Sequence, residues 1–298
     1  MRQDDNKDWL DLSSDQNRRS WPGVAEAGEA LFSEAGMACL TQVAGDSFGC
    51  PPAHVLPVAD ALAAFAHLRP PGRAAVLGPG DNGHADRLNA ANWQVVNVAE
   101  PQAMAGADLA VVVNPGNPDG REWPPETLAD LARTVGHLVV DESLADPRPD
   151  LSLAPALPAN ALVLRSLCPL WGLRGVDFVL AGPDLLERLS GALPPTGPAL
   201  HVAARALADR DWADQAILYL TEAALRLDRL AVAAGWRMAG GTHLFRLYDV
   251  GNAAAAQERL ARGRIRAQRF AWSGKFLRLG IPANPAEWDH LATALRKF

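Results

Sequence analysis

Hydrophobic and polar positions are grouped in blocks along the middle of the chain. Continuous apolar runs end in polar residues at 109–114, 138–141 and 161–166. Segments with helical spacing lie between these runs, and one of them, 124–135, opens with prolines that suit a first helical turn. Apolar strands that alternate with helices indicate a mainly parallel sheet covered by helices on both faces. The pattern therefore predicts an α/β fold.

The same pattern extends to both sides of this central region. Further strands are predicted at residues 73–77, 94–98 and 178–181. Further helices are predicted at residues 24–35, 58–68 and 83–91. Beyond about residue 195 the hydrophobic pattern changes, and it predicts two long helices at 199–208 and 212–234. The elements that follow are strands at 243–248, 265–269 and 276–280, and helices at 253–261 and from 286 onward.

This change of hydrophobic pattern predicts that the chain is organised in three parts. An N-terminal arm with a short helix covers residues 1–45, and a large α/β domain covers residues 46–200. A smaller C-terminal α/β lobe covers residues 201–298. A chain of 298 residues is long enough to bury a sizeable core in such an arrangement.

Composition excludes several classes of function. A hydrophobic share of 49% and a net charge of −6 are typical of a water-soluble globular protein. No basic stretch is dense enough to indicate nucleic-acid binding, and no apolar run is long enough to span a bilayer. The first 16 residues are polar and lack the apolar core of a signal peptide. We therefore expect a cytoplasmic protein with neither membrane nor nucleic acid as partner.

Reactive side chains are sparse. The three cysteines are widely spaced, and the seven histidines do not cluster at metal-ligand spacing, so neither a disulfide framework nor a metal site is predicted. Cys168 could be a nucleophile, but no matching His/Asn arrangement is visible, which favours an inert buried thiol. Only Lys7, Lys275 and Lys297 could offer a side-chain amine for imine formation.

Polar residues at the ends of apolar runs carry the candidate chemistry. Asp141 closes one run, and Asn117 lies in an NPGNPDG turn 24 residues earlier, with a predicted helix and strand between them. Alone, each could be a helix cap or ordinary turn chemistry. Ser166 ends the next run, and Pro169 follows it by three residues, ahead of a Gly-Leu-Arg-Gly segment.

Together these motifs resemble the class I/II aminotransferase superfamily, the pyridoxal-phosphate enzymes of fold type I. The phrases WLDLSSDQN, PPAHVLPV and FLRLGIPANPAEWDHL resemble the threonine-phosphate decarboxylase branch of cobalamin biosynthesis, which is close to histidinol-phosphate aminotransferases. The resemblance covers nearly the whole chain. It implies a mainly parallel sheet sandwiched by helices, a smaller C-terminal lobe, pyridoxal phosphate as cofactor, and a dimer whose active sites form across the interface.

The resemblance also implies a role for each motif residue. Asp141 would pair with the pyridine nitrogen, Asn117 would bond the ring hydroxyl, and Ser166 would help to hold the cofactor phosphate. On the substrate side, Arg278 would clamp a carboxylate and Asn17 of the arm would lie nearby. Arg278 could instead be a solvated arginine at a strand end, and Asn17 an ordinary residue of the arm.

Several positions depart from the pattern that the resemblance implies. Pro169 stands where the Schiff-base lysine is expected, and proline has no side-chain amine. Asp177 stands where an arginine would meet the phosphate, and a carboxylate there repels it. Val58-Ala59 replaces a Gly-Ser/Thr pair at the phosphate, and Asp81 replaces the aromatic residue that stacks on the ring.

Two functional hypotheses follow. In the first, the chain is a degenerate member that cannot form the lysine–cofactor Schiff base. It would act as a binding or regulatory partner in cobalamin biosynthesis, either as a homodimer or as a heterodimer with an active homologue. In the alternative, it is an active decarboxylase or aminotransferase for L-threonine O-3-phosphate or a related amino acid phosphate, with atypical cofactor handling. Lys275, three residues before Arg278, is then the candidate for a relocated Schiff base.

Overall fold

A computed structural model describes residues 9–23, 34–64, 68, 70–79, 83–189 and 194–296. The chain divides into two compact units. The larger comprises Ser20–Asn117 and Arg121–Ala213, and the smaller comprises Met1–Arg19, Pro118–Gly120 and Asp214–Phe298. The domain boundaries expected from the sequence, after residues 45 and 200, stay a prediction. In the described ranges, no helix has the length and apolar character needed to cross a membrane.

The strands in chain order are β1 (Leu10–Asp11), β2 (Val55–Val58), β3 (Arg73–Leu77), β4 (Gln94–Val98), β5 (Leu109–Val113), β6 (His137–Asp141), β7 (Ala161–Ser166), β8 (Asp177–Leu180), β9 (Arg237–Gly241), β10 (Phe245–Asp249), β11 (Ile265–Arg266), β12 (Gln268–Phe270) and β13 (Ser273–Gly280). The helices are α1 (Glu34–Phe48), α2 (Ala61–Ala64), α3 (His84–Ala90), α4 (Pro125–Ala132), α5 (Cys168–Trp171), α6 (Pro183–Arg188), α7 (Gly197–Ala208), α8 (Arg210–Ala233), α9 (Ala253–Arg262) and α10 (Pro285–Leu295). Short 3₁₀ turns connect several of them.

A seven-stranded sheet forms the centre of the larger unit, in the order β2-β8-β7-β6-β5-β3-β4. The strands from β3 to β7 pair in parallel, whereas β8 is antiparallel to both of its neighbours. This confirms the predicted α/β class with a mainly parallel sheet. Because β8 runs in the opposite direction, its first residue, Asp177, lies beside the last residue of β7, Ser166. The same sheet edge carries Asp141 at the end of β6.

The continuous apolar runs form strands because both faces of the sheet are covered. Every residue of β5 is buried, and its side chains contribute to a core with those of β3, β6, β7 and β8. Such burial on both faces explains why these strands show no polar alternation. The polar candidate residues Asp141 and Ser166 lie at the ends of these buried strands.

One predicted element is wrong at its start. The helix expected at residues 58–68 begins only at Ala61, and Val58 is the last residue of strand β2. Apolar residues at helical spacing concealed this edge strand, which pairs with β8 and carries Pro57. Proline is tolerated there because an edge strand need not donate every backbone N–H. The helix expected at residues 24–35 falls mostly on 24–33, outside the described residues.

The smaller unit contains a four-stranded antiparallel sheet in the order β12-β13-β10-β9. Helices α9 and α10 each begin at an asparagine, Asn252 and Asn284, whose side-chain oxygen accepts a backbone N–H of the first turn. In the arm, β1 pairs in parallel with β11. The sequence did not predict β9, which ends in two glycines and is largely exposed. The sequence of β9 lacks the apolar pattern that would predict a strand.

Candidate functional site

Asp141 and a buried histidine form the centre of the sheet edge in the larger unit. The Nε2 atom of His84, at the start of α3, lies 2.8 Å from Oδ2 of Asp141, and the His84 side chain is fully buried. The other carboxylate oxygen, Oδ1, accepts the backbone N–H of Ser143 at 2.9 Å and also the Ser143 hydroxyl. Both oxygens of Asp141 therefore have partners within the protein.

These partners determine the charge state of Asp141. Burial alone raises the pKa of a carboxyl group, but the bonds from His84 and Ser143 outweigh that effect and lower the pKa of Asp141 below its ordinary value. The group is thus held as a carboxylate in a buried place. An ionised acid at a strand end can bind a protonated ring nitrogen, although here a side chain of the protein already occupies one oxygen.

Ser166 and Asp177 form a second polar cluster at the same edge. Asp177 Oδ2 accepts the backbone N–H of Ala61 at 3.2 Å, and the Ser166 hydroxyl donates to the Asp177 carboxylate. Ser166 Oγ in turn accepts the N–H of Cys168 at 3.2 Å. The cluster therefore links the start of α2, the facing ends of β7 and β8, and the turn into α5.

The environment of Asp177 disfavours its charge. Burial raises the pKa of Asp177, the bonds from Ser166 and Ala61 offset this only in part, and the nearby carboxylates of Asp60 and Asp141 raise it further. A carboxylate in this environment costs stability once it ionises.

The Asp177→Asn variant should have a higher free energy of unfolding than the native protein, and this difference should grow as the pH increases. Since the folded-state pKa is raised, the stability that Asp177 contributes is fully present below its unfolded pKa of about 3.9 and is lost as the pH rises through the folded value. Urea unfolding should therefore show Asp177→Asn becoming increasingly more stable than the native protein as the pH rises above about 4. Asp150→Asn is the control with the opposite sign, because Arg148 lowers the pKa of Asp150. If the native protein instead became more stable relative to Asp177→Asn as the pH rises, this account would be wrong.

Pro169 lies immediately beyond the second cluster. It is buried within the four-residue helix α5, which follows β7 and ends at Gly172, a residue with a φ of 75°. Proline suits the first turn of such a helix because it fixes φ and needs no hydrogen-bond donor there. The residue therefore has a local structural role, and it presents no amine.

Asp119 and Gly120, which follow Asn117 in the chain, make close backbone contacts with Gly241 within the smaller unit. Gly241 N–H donates to the Asp119 carbonyl at 3.1 Å, and a Cβ on Gly120 would meet the Gly241 oxygen at 2.1 Å. Glycine is required there, because φ at Gly120 is also positive, at 68°. Asn117 itself is half-buried, and it follows β5 as the sequence pattern predicts.

A buried ionic network lies directly behind the sheet edge. Arg165, next to Ser166, bonds Glu142 Oε2 at 3.3 Å and also bonds Asp146. Glu142 further accepts the Ser152 hydroxyl at 2.6 Å and the Leu153 N–H at 2.7 Å. Burial raises the pKa of Glu142 and of Asp146, and the Arg165 guanidinium opposes that rise in both. The network joins the ends of β6 and β7.

Arg278 and Asn17 both lie in the smaller unit, where arm residues surround the arginine. Arg278 Nη2 donates to the Ser13 carbonyl at 2.8 Å, and Nη1 lies 3.3 Å from Asp15 Oδ2. Its guanidinium also lies over the Phe245 ring. Asn17 is buried, and its amide exchanges hydrogen bonds with the backbone of Arg19. The Arg278 side chain is thus bonded by a carboxylate of its own chain.

Comparison with known proteins connects this geometry to a family. No protein-family model matches the chain. A threonine-phosphate decarboxylase of Pseudomonas aeruginosa is 35% identical to it, over 98% of this chain and 92% of that protein. The chain belongs to the pyridoxal-phosphate-dependent aminotransferases of fold type I. A histidinol-phosphate aminotransferase of Mycobacterium bovis is 32% identical to this aminotransferase-family chain, over 82% of it and 72% of the relative.

Solved structures confirm the fold-type I architecture. A histidinol-phosphate aminotransferase from Sinorhizobium meliloti, in complex with pyridoxal-5'-phosphate, matches with a TM-score of 0.83 at 20% identity, covering 97% of this chain and 90% of that one. An L-threonine-O-3-phosphate decarboxylase from Porphyromonas gingivalis matches with a TM-score of 0.78 at 17% identity, covering 97% and 99%. At these identities the matches establish the fold alone.

Of the lysines in this aminotransferase-family chain, only Lys275 lies in the described part. Its Nζ is 3.4 Å from Asp249 Oδ2 and 4.9 Å from the centre of the Phe276 ring, and its side chain is 55% exposed. An exposed, ion-paired amine contrasts with a Schiff-base lysine, which must be available as a neutral nucleophile. Asp81, the position predicted for the stacking aromatic residue, lies outside the described residues.

Sequence reasoning missed the residues that support the motif positions in this fold-type I chain: His84, Glu142, Asp146 and Arg165. One signal was available, since an arginine inside the apolar run of β7 requires a buried counter-ion, and the acidic pair Asp141-Glu142 ends the neighbouring run. No comparable signal marks His84.

Among the described residues, no group of three or more side chains suits a metal ion.

Proposed function

We propose that this chain is a non-catalytic member of the aminotransferase superfamily, descended from a threonine-phosphate decarboxylase, and that it acts by binding. The observation that carries the proposal is Pro169, buried in α5 at the position where the resemblance places the Schiff-base lysine. Covalent catalysis by these enzymes depends on that amine, which proline cannot supply. Cys168 and Leu170 flank the proline on either side.

Pyridoxal phosphate fits the sheet edge poorly. The carboxylate of Asp141 and the half-buried Asn117 could still meet a pyridine ring. The cofactor phosphate, however, would meet the Asp177 carboxylate, which already accepts the Ala61 N–H and the Ser166 hydroxyl. When bound, pyridoxal phosphate supplies an electron sink for carbon–hydrogen or carbon–carboxylate cleavage. The residues at this edge do not provide the anchors that such chemistry needs.

The substrate side supports the same conclusion. Arg278, which would hold a substrate carboxylate by resemblance, is bonded to Asp15 and to the Ser13 carbonyl of the arm. A ligand carboxylate would have to displace the Asp15 side chain, which is one-third exposed. We propose that the arm and Arg278 now stabilise each other, and that ligand exchange at Arg278 requires the arm to open.

The biological role that we propose is that of a binding or regulatory partner in cobalamin biosynthesis. The support is the likeness to proteins named threonine-phosphate decarboxylase, from Pseudomonas aeruginosa at 35% identity and from Sinorhizobium at 34%. The partner would be a second copy of the chain or an active homologue, in the cytoplasm. The alternative of an active decarboxylase has no support from the residues of the sheet edge.

The purified protein should not decarboxylate L-threonine O-3-phosphate, with or without added pyridoxal phosphate. The reason is the missing amine, which removes a nucleophile that the reaction needs. Carbon dioxide release should remain at the level of a protein-free control, while the Pseudomonas aeruginosa relative serves as the reference enzyme. Cofactor-dependent release that rises linearly with protein concentration would refute the proposal.

A further inference from the structure

Asp177 stands at the sequence position where the resemblance implies an arginine that meets the cofactor phosphate, and it lies beside Ser166 at the facing ends of β7 and β8. Phosphate sites combine backbone N–H groups, a hydroxyl and a cation, because these donors neutralise and solvate the oxygen atoms of the anion. Here one backbone N–H, from Ala61, and one hydroxyl, from Ser166, both point at a single group, and that group is the Asp177 side chain. The donors of the site are therefore already used within the protein.

The strand register explains how this carboxylate reaches both donors. Asp177 is the first residue of β8, and its backbone pairs with Ser166 on one side and with Val58 on the other. Ala61 follows Val58 by three residues, at the first position of α2. The side chain of Asp177 is thus fixed between two neighbouring strands by the sheet itself. No loop movement is needed to bring the carboxylate to the donors, and none of the described contacts suggests that it swings away.

The surroundings would also repel a second anion. Asp60 and Asp141 both act on Asp177 with negative charge. Asp60 is paired with the exposed Arg87 at 3.2 Å, whereas Asp141 is bonded to His84. Asp60 and Asp141 thus add negative charge around Asp177, which disfavours a second anion beside it.

We infer that Asp177 serves as an internal substitute for a ligand phosphate, so that this sheet edge excludes phosphate-bearing ligands and admits only unphosphorylated ones. The inference deepens the proposed function and rests on it, since it gives a reason why the cofactor phosphate fits this sheet edge poorly. It also makes a separate claim. Restoring the lysine alone would not restore cofactor binding, because the phosphate anchor would still be occupied by Asp177.

The test compares lysine variants that differ only at Asp177. The proteins are Pro169→Lys, Pro169→Lys/Asp177→Asn and, as a control that removes a charge elsewhere, Pro169→Lys/Asp184→Asn, since Asp184 is exposed on α6. Each is titrated with pyridoxal phosphate and with unphosphorylated pyridoxal, and inorganic phosphate is added as a competitor. Asparagine is close in shape to aspartate, so folding should be preserved, and far-ultraviolet circular dichroism checks this. Its neutral amide does not repel an anion and competes less strongly than a carboxylate for the Ala61 N–H and the Ser166 hydroxyl.

Pro169→Lys and its Asp184→Asn control should bind pyridoxal phosphate no more tightly than pyridoxal. Pro169→Lys/Asp177→Asn should favour the phosphorylated compound by at least ~10-fold, which corresponds to about 1.4 kcal/mol. Inorganic phosphate should compete only in that double variant. Equal preference for the phosphorylated compound in all three variants would overturn the inference. Reaction of the native protein with the cofactor would instead refute the proposed function, whereas the comparison among the lysine variants decides the inference by itself.

Discussion

Replacing Arg165 with methionine should lower the free energy of unfolding by about 3–5 kcal/mol at pH 7. The substitution keeps most of the side-chain volume but removes the cation from between Glu142 and Asp146. The side chains of Arg165 and Glu142 are 6% and 0% exposed, so water cannot replace the lost bonds. Two buried carboxylates without a counter-ion must then either stay charged at high cost or take up protons.

The pH dependence of this loss identifies its cause. Burial already raises the pKa of Glu142 and of Asp146, and removing Arg165 raises both further. The destabilisation should therefore shrink as the pH falls toward about 4, where protonation relieves the buried charge. Urea unfolding followed by tryptophan fluorescence suits a chain with nine tryptophans.

A surface ion pair of the same type provides the matched control. Arg133 pairs with Asp130 on the exposed side of α4, where the two side chains are 75% and 72% exposed. Arg133→Met should cost less than about 1 kcal/mol and should show little dependence on pH. If Arg165→Met were as mild as Arg133→Met, the network could not be what fixes the ends of β6 and β7.

The sequence was sufficient for the strands that are buried on both faces. The predicted bounds of β3 and β7 agree with the structure, because a continuous apolar run between turn residues has few alternatives in an α/β chain. The bounds of β4 also agree, although this edge strand is largely exposed. The pattern failed at β2, where an edge strand of four residues adjoins a short helix. Apolar residues of both elements merged into one apparent helical period. Short edge elements are defined by their partners, and those partners are distant in sequence.

The candidate site could be located from sequence but not described. Asp141 and Ser166 end apolar runs, so their position at a strand end follows from the pattern itself. Their partners do not, because His84 is 57 residues from Asp141 and Ala61 is 116 residues from Asp177. The resemblance implied that Asp177 stands where an arginine is expected. Only the antiparallel direction of β8 shows that its carboxylate reaches the donors at Ala61 and Ser166.

The native protein should form no reducible bond with pyridoxal phosphate at a side chain of the sheet edge. Pro169 offers no amine, and the only lysine in the described residues, Lys275, is exposed and paired with Asp249. The cofactor should therefore produce no more labelling than an unphosphorylated aldehyde does. A working family member, by contrast, should carry one label per chain.

Borohydride reduction with equimolar pyridoxal phosphate, followed by peptide mapping, tests the central claim most directly. The Pseudomonas aeruginosa relative is the positive reference, and Lys275→Arg of this chain controls for surface labelling. We expect the reference enzyme to yield one labelled peptide, and the native protein and Lys275→Arg to give the same background. A stoichiometric label on the Lys275 peptide of the native protein, lost in Lys275→Arg, would contradict the account and establish a relocated Schiff base.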